Sequence, residues 1–175
     1  SHADLSVRAC AATPELRQGV LAPPYKCAMI DSLTPLIAID AVALDTETTG
    51  ADVRTASVIE IGAVRIISGV LRPEQSYRSL VRPGGRIDPE AIRVHGIDDL
   101  QDGEAPLFQE VWSQVVKFAG ESVMIGHTIG FDLAVLERQL ATCGLTWRRP
   151  RMLDTQLLAQ LDRVAAPAHA QVEQF

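Results

Sequence analysis

The order of apolar runs along this chain predicts an α/β domain on a mixed sheet, antiparallel in its first half and parallel in its second. Three observations carry that prediction. Short β-prone runs come first and lie close together, amphipathic stretches of helical period then alternate with single short apolar runs, and 175 residues at 47% hydrophobic can form one packed core. The predicted sequence of elements is strand, strand, strand, helix, helix, strand, helix, strand, helix, which implies a three-layer arrangement.

Residues 1–38 read as a tag remnant (Ser1-His2) followed by a linker or the tail of a preceding element, because they mix turn formers such as Pro23-Pro24 with no sustained period. Ile39 to Leu44 is a mostly apolar run of the length of a buried central strand, ending at Asp45. Ser57 to Ile67 and Val70 to Val81 are β-prone and are separated by Ser68-Gly69, so they should form an antiparallel hairpin. Asp88-Pro89-Glu90 opens a short helix with an Asp cap and Pro in the first turn, and Gly96 should close it. Pro106 to Ala119 carries a helical stripe through Leu107, Val111, Val115 and Phe118. Ser122 to Gly126 is too short for a helix and reads as a strand. Phe131 to Cys143 is again helical, with Gly144 as a stop. Met152-Leu153 predicts a last strand and Thr155 to Leu161 a last helix, so the domain should span 39–161 and leave 162–175 as a linker-like tail.

Composition narrows the function classes. A formal charge of -6 argues against extensive sequence-independent grip on nucleic acid, which requires Lys and Arg to displace counterions. It does not exclude a site whose charge is set by metals as well as carboxylates. Three scattered cysteines, Cys10, Cys27 and Cys143, fit neither a disulfide framework nor a metal knuckle, and a reducing cytoplasm is the expected location. No apolar run reaches the roughly 20 residues of a membrane span. No Gly-rich phosphate loop supports a kinase-like reading.

The chemistry concentrates in Asp45-Thr46-Glu47-Thr48-Thr49-Gly50, where an apolar run ends in two acids one residue apart. Side chains at i and i+2 of a strand share a face, so both carboxylates can reach one spot, and they repel each other unless a cation lies between them. Hard oxygen donors suit Mg²⁺ or Mn²⁺. In isolation, a pair of this kind is better explained by an Asp capping a turn beside a solvated Glu. The longer context is more specific. With Ile59-Glu60-Ile61-Gly62-Ala63-Val64 downstream, the run resembles the first motif of the DnaQ-like DEDD family of 3′-5′ exonucleases, histidine subtype, whose fold is a ribonuclease-H-like three-layer sandwich.

Two further segments match that family in order. Val94-His95-Gly96-Ile97 is similar to its segment near the substrate cleft, although His95 could simply cap the preceding helix. Gly126-His127-Thr128-Ile129-Gly130-Phe131-Asp132 resembles the second motif, with Thr128 in place of a frequent Asn. The resemblance implies Asp45, Glu47 and Asp132 as catalytic metal ligands for two Mg²⁺ or Mn²⁺ ions. It also implies Thr48, Thr49, Gly50, His95 and Ile97 as substrate contacts. The partner implied is a DNA or RNA 3′ end, preferably single-stranded, alongside a polymerase or further domains of a longer chain, and no membrane. His127 is expected to be structural, Glu60 to point to a solvated face, Asp154 to cap a helix, and Arg148-Arg149-Pro150-Arg151 to form a solvated loop.

The family completes its site with His-x-x-x-x-Asp on a C-terminal helix, which this sequence lacks; neither His169 nor Glu173 substitutes for that pair. A chain cut short, a sequence joining pieces across a missing segment after Leu161, and a naturally deficient homologue each account for the gap, and the join is the preferred account. The expected activity is release of nucleoside 5′-monophosphates from a 3′ end. The alternative is a non-catalytic module of the same fold that binds nucleic acid or protein within a larger chain.

Overall fold

The computed structural model describes residues 34–98 and 105–165. Cys10, Cys27, His169, Glu173 and the tail expected after residue 165 lie outside the described residues. A short 3-10 turn, Leu36–Ala38, leads into β1 (Ala41–Thr48), β2 (Val58–Ile67) and β3 (Val70–Leu80). Then follow α1 (Pro89–His95), α2 (Phe108–Ala119), β4 (Val123–Gly126), α3 (Ile129–Thr142), β5 (Met152–Asp154) and α4 (Thr155–Ala165). The sheet order is β3-β2-β1-β4-β5, with β1/β2 and β2/β3 antiparallel and β1/β4 and β4/β5 parallel, the mixed sheet that the sequence predicts.

Central β1 is apolar because helices cover one of its faces. Val42 and Leu44 join Ile61 and Ala63 of β2 and Met124 of β4 in a cluster with Val111 and Val115 of α2 and Leu133 and Leu136 of α3. Fully burying such side chains contributes about 1.5–3 kcal/mol each, so this face is where the sheet and its helices gain most of their cohesion. Arg65 at its margin stacks on the Phe118 ring and donates to the Phe118 carbonyl, which allows a charged residue to sit at the edge of an apolar layer.

The local signals act as the sequence suggests at several ends. The Asp88 side chain accepts from Glu90 N at 2.9 Å, and Gly96, at φ 73°, closes α1 with its N–H on the Ile92 carbonyl. Gly144 takes φ 68° after α3. Four expectations are corrected. β1 does not end at Asp45 but runs on to Thr48, because β2 continues to pair with it as far as Thr48↔Val58. The buried stripe of α2 is turned away from Leu107, which is 45% exposed at the N-cap, towards Phe108 and Trp112, which stack on each other while Trp112 meets Trp147 edge-on. α4 runs past the expected Leu161 to Ala165. α3 begins at Ile129, two residues before the expected Phe131. Among the described residues no helix is long and apolar enough to cross a membrane.

Gly126 at the end of β4 is required by proximity. A Cβ there would stand 2.8 Å from the Leu44 carbonyl oxygen and 3.0 Å from the Ile129 Cβ, whereas one on Gly130 would meet nothing within 4 Å. Gly126→Ala should therefore lower stability by about 1–3 kcal/mol through overpacking, and Gly130→Ala should raise it by up to about 1 kcal/mol through helix propensity. Denaturant titration of the two variants checks both signs.

Candidate active site

The site forms where β1 outruns β4. Parallel pairing between them ends at Ala43↔Ile125, while β1 remains paired to β2 for five further residues, so one edge of Asp45–Thr48 has no strand beside it. The start of α3 fills that gap. Asp132, in its first turn and 6% exposed, accepts from Thr46 N at 3.1 Å and from Thr46 Oγ1 at 2.6 Å through one oxygen. Asp45 is exposed and Glu47 partly buried on the same face of β1, as residues two apart in a strand must be.

The electrostatics are those of carboxylates gathered without a counterion. Burial raises the pKa of Glu47; the charges of Asp45, Glu60 and Asp132 push the same way, and His95 opposes them. Burial also raises Asp132; the hydrogen bonds from Thr46 work against that and the charge of Asp45 adds to it. Each group thus favours its neutral form more than a free carboxyl does, a bias that a bound cation would reverse. The donor set is all oxygen and fits a hard divalent ion. As placed, the three carboxylates do not close around one point: among the described residues no three His, Cys, Asp or Glu side chains form a metal cage. Asp132 is turned towards Thr46.

The other expected residues divide into two groups. Thr48 and Thr49 are buried and their hydroxyls are engaged within the loop, Thr48 Oγ1 donating to Gly50 O at 2.8 Å and Thr49 Oγ1 accepting from Ser57 N at 2.9 Å. They shape the loop beside the carboxylates. His95 is drawn into the site's electrostatics through Glu47. Its Nδ1 accepts from Ile97 N at 3.0 Å, which places the proton of the neutral ring on Nε2, a buried atom with no partner. His127 instead lies against Thr155 Oγ1 at 3.3 Å, a contact between elements. Asp154 accepts from Thr128 N at 3.0 Å and Gln156 N at 2.9 Å, capping α4 while fixing the residue that starts α3. Arg149 pairs with Glu137 at 3.2 Å in an exposed loop.

Glu60 corrects an expectation. It does not project into solvent: it stands directly across from Glu47 with its side chain only 13% exposed, held by Arg78 at 2.5 Å. An acid inside an apolar strand was the available signal, but Arg78 is 18 residues away and only the hairpin register joins them. Two open depressions lie beside the carboxylates, and one is a groove of about 590 Å³ lined by Thr49, Arg82, Arg86 and Arg138. Neither depression is lined by Asp45, Glu47 or Asp132, although Thr49 of the neighbouring loop borders the larger one.

The comparisons with known proteins agree with this geometry. A family model described as Exonuclease matches residues 42–169. A DNA polymerase III subunit epsilon-like protein of Rhodobacter capsulatus is 36% identical over 138 residues, 78% of this chain and 20% of that protein. The DNA polymerase III subunit epsilon of Pasteurella multocida is 32% identical over 109 residues, 59% of this chain and 43% of that protein. The chain thus spans about a fifth of the first relative and less than half of the second. Among solved structures, exonuclease X in complex with 5′ overhanging duplex DNA aligns with a TM-score of 0.54 at 24% identity, over 73% of this chain and 65% of that one. Escherichia coli exonuclease I in complex with a dA16 oligonucleotide aligns with a TM-score of 0.63 at 14% identity, over 74% of this chain and 30% of that one. At these identities the likeness is one of fold, the ribonuclease-H-like fold of these exonucleases.

Two predictions follow from the geometry. Thr128 is held at φ 59°, a left-handed conformation that costs a β-branched residue about 1–2 kcal/mol and Asn less. Thr128→Asn should therefore raise the melting temperature by a few degrees. The raised pKa of Asp132 means that stability is lost as pH rises from the usual carboxylate value to the raised folded one, whereas below the usual range the group is protonated in both states and costs nothing. Without metal, Asp132→Asn should gain on the parent as pH rises from about 4 to about 7, ending a few degrees more stable. Thermal melts in EDTA across that range test the sign, and a constant difference would refute it.

Proposed function

The chain belongs to the exonuclease family, and from that premise we propose that it hydrolyses nucleic-acid phosphodiesters one nucleotide at a time from a 3′ end, releasing nucleoside 5′-monophosphates. The observation that carries this reading is the gathering of Asp45, Glu47 and Asp132 where β1 runs past β4, with the pKa values of Glu47 and Asp132 both raised by burial and by the charge of Asp45. Asp45 and Glu47 hold Mg²⁺ or Mn²⁺ from one strand face, and Asp132 does so from the head of α3. Bound divalent ions supply charge neutralisation at the phosphate and a more acidic water.

The chain's own residues set the geometry. Thr46 fixes one oxygen of Asp132 and leaves the other for a cation. The Thr48–Gly50 loop, held by its internal hydrogen bonds, offers backbone to the terminal nucleotide. His95 and Ile97, tied together by the hydrogen bond from Ile97 N to His95 Nδ1, border the terminal nucleotide beside Glu47. The names of the relatives support DNA as the substrate and a polymerase, or further domains, as the partner.

Asp45→Ala should reduce Mn²⁺-dependent shortening of a 3′-labelled single strand by about a thousandfold or more while leaving the melting temperature within a few degrees of the parent. Near-normal cleavage by the variant would refute the assignment. Retention of single-strand binding by the parent with no cleavage under any divalent metal would favour the second reading, a non-catalytic module for nucleic-acid ends.

A further inference from the structure

The strand register places a cation on the same face as the acidic pair. β1 sets Asp45 opposite Gly62 and Glu47 opposite Glu60; β2 in turn sets Gly62 opposite Arg78 and Glu60 opposite Leu80. Directly opposed residues share a face, so two rows cross the sheet side by side: Asp45, Gly62, Arg78 and Glu47, Glu60, Leu80. Two strand spacings put the Arg78 backbone roughly 10 Å from that of Asp45. Between them Gly62 contributes no side chain, and a Cβ there would come no nearer to another atom than the Asp45 carbonyl at 4.0 Å. The floor between the carboxylates and the arginine is therefore bare.

Arg78 leans across this floor to Glu60, with Nε 2.5 Å from Oε1 and Nη2 3.2 Å from Oε2. The two partners are unequally placed: the Glu60 side chain is 13% exposed and that of Arg78 is 78% exposed. A pair with one member so exposed adds little to stability. Its chemical consequence here is larger. One edge of a planar guanidinium is pinned and the remaining N–H groups face outward, a pre-ordered fork for a phosphate. A substrate backbone also needs such a partner on this face, because Asp45 and Glu47 repel it and the chain carries a net -6.

We propose that Arg78, held by Glu60, docks the internucleotide phosphate on the 5′ side of the scissile bond, so that the strand crosses the sheet over Gly62 from the carboxylates towards β3. The proposal rests on the reading that Asp45 and Glu47 take a nucleic-acid 3′ end. It makes Arg78 a contact for polymeric substrate only, since a mononucleotide has no phosphate to place there.

The test is binding of a 5′-fluorescein-labelled oligothymidylate in Ca²⁺, followed by anisotropy across a salt series, with competition by thymidine 5′-monophosphate. Arg78→Ala should weaken the oligonucleotide about tenfold, reduce the slope of log affinity against log salt by about 0.7, and leave the mononucleotide unchanged. Arg78→Lys, which keeps the charge, should keep the slope. Unchanged oligonucleotide affinity and slope in Arg78→Ala would overturn the proposal. So would an equal loss of both ligands, which would mean that Arg78 acts through Glu60 on Glu47. A parent protein that binds neither ligand would fail at the earlier step and remove the 3′-end reading itself.

Discussion

The active-site region depends on one mismatch of lengths: β1 is eight residues long, β4 is four, and they are paired over only the first three residues of β1. An unpaired strand edge in a folded protein leaves backbone N–H groups that must find acceptors. Asp132 supplies one for Thr46, and in doing so brings the head of α3 against the end of β1. The same hydrogen bond that satisfies the edge therefore assembles the third carboxylate beside the first two. Gly126 makes the approach possible, because the chain turns from β4 into α3 within 2.8 Å of where its missing Cβ would strike the Leu44 carbonyl.

A second tier of contacts holds that arrangement from outside. Asp154, at the end of β5, accepts from Thr128 and so fixes the residue from which α3 starts. The parallel pairing of β4 with β5 brings Asp154 beside Gly126, and α4 begins at the next residue. Thr128 is strained in this position, and strain at a site persists where its surroundings over-determine it. Here the surroundings are the Asp154 acceptor on one side and the buried Ile129 and Leu133 on the other. The apolar layer of α2 and α3 thus does more than stabilise the sheet: it anchors the element that carries Asp132.

The opposite sheet face is organised by charge. Asp45, Glu47 and Glu60 crowd one end of it, and this is why the carboxyl of Glu47 is held above the usual range once burial is added. Arg78 neutralises Glu60 from the neighbouring strand and leaves Asp45 and Glu47 as the acids without a cation. Of the three acids on this face, one is therefore tied to an arginine while Asp45 and Glu47 are not.

Much of this was legible in the sequence because it is local. The Asp-x-Glu spacing fixes a shared face in any strand, the Asp-Pro-Glu run caps α1, and the alternation of short apolar runs with helical periods yields the mixed sheet. What was misread is what depends on partners distant along the chain. The end of β1 was set by β2 and not by the first acid. The face of α2 was set by Trp147, 35 residues on from Trp112. The environment of Glu60 was set by Arg78 across a hairpin whose register shifts at Val64/Arg65. Residue types at short spacing determined which groups can do chemistry. The tertiary structure decided which of them meet, because strand pairing, unlike side-chain period, joins residues that the sequence keeps apart.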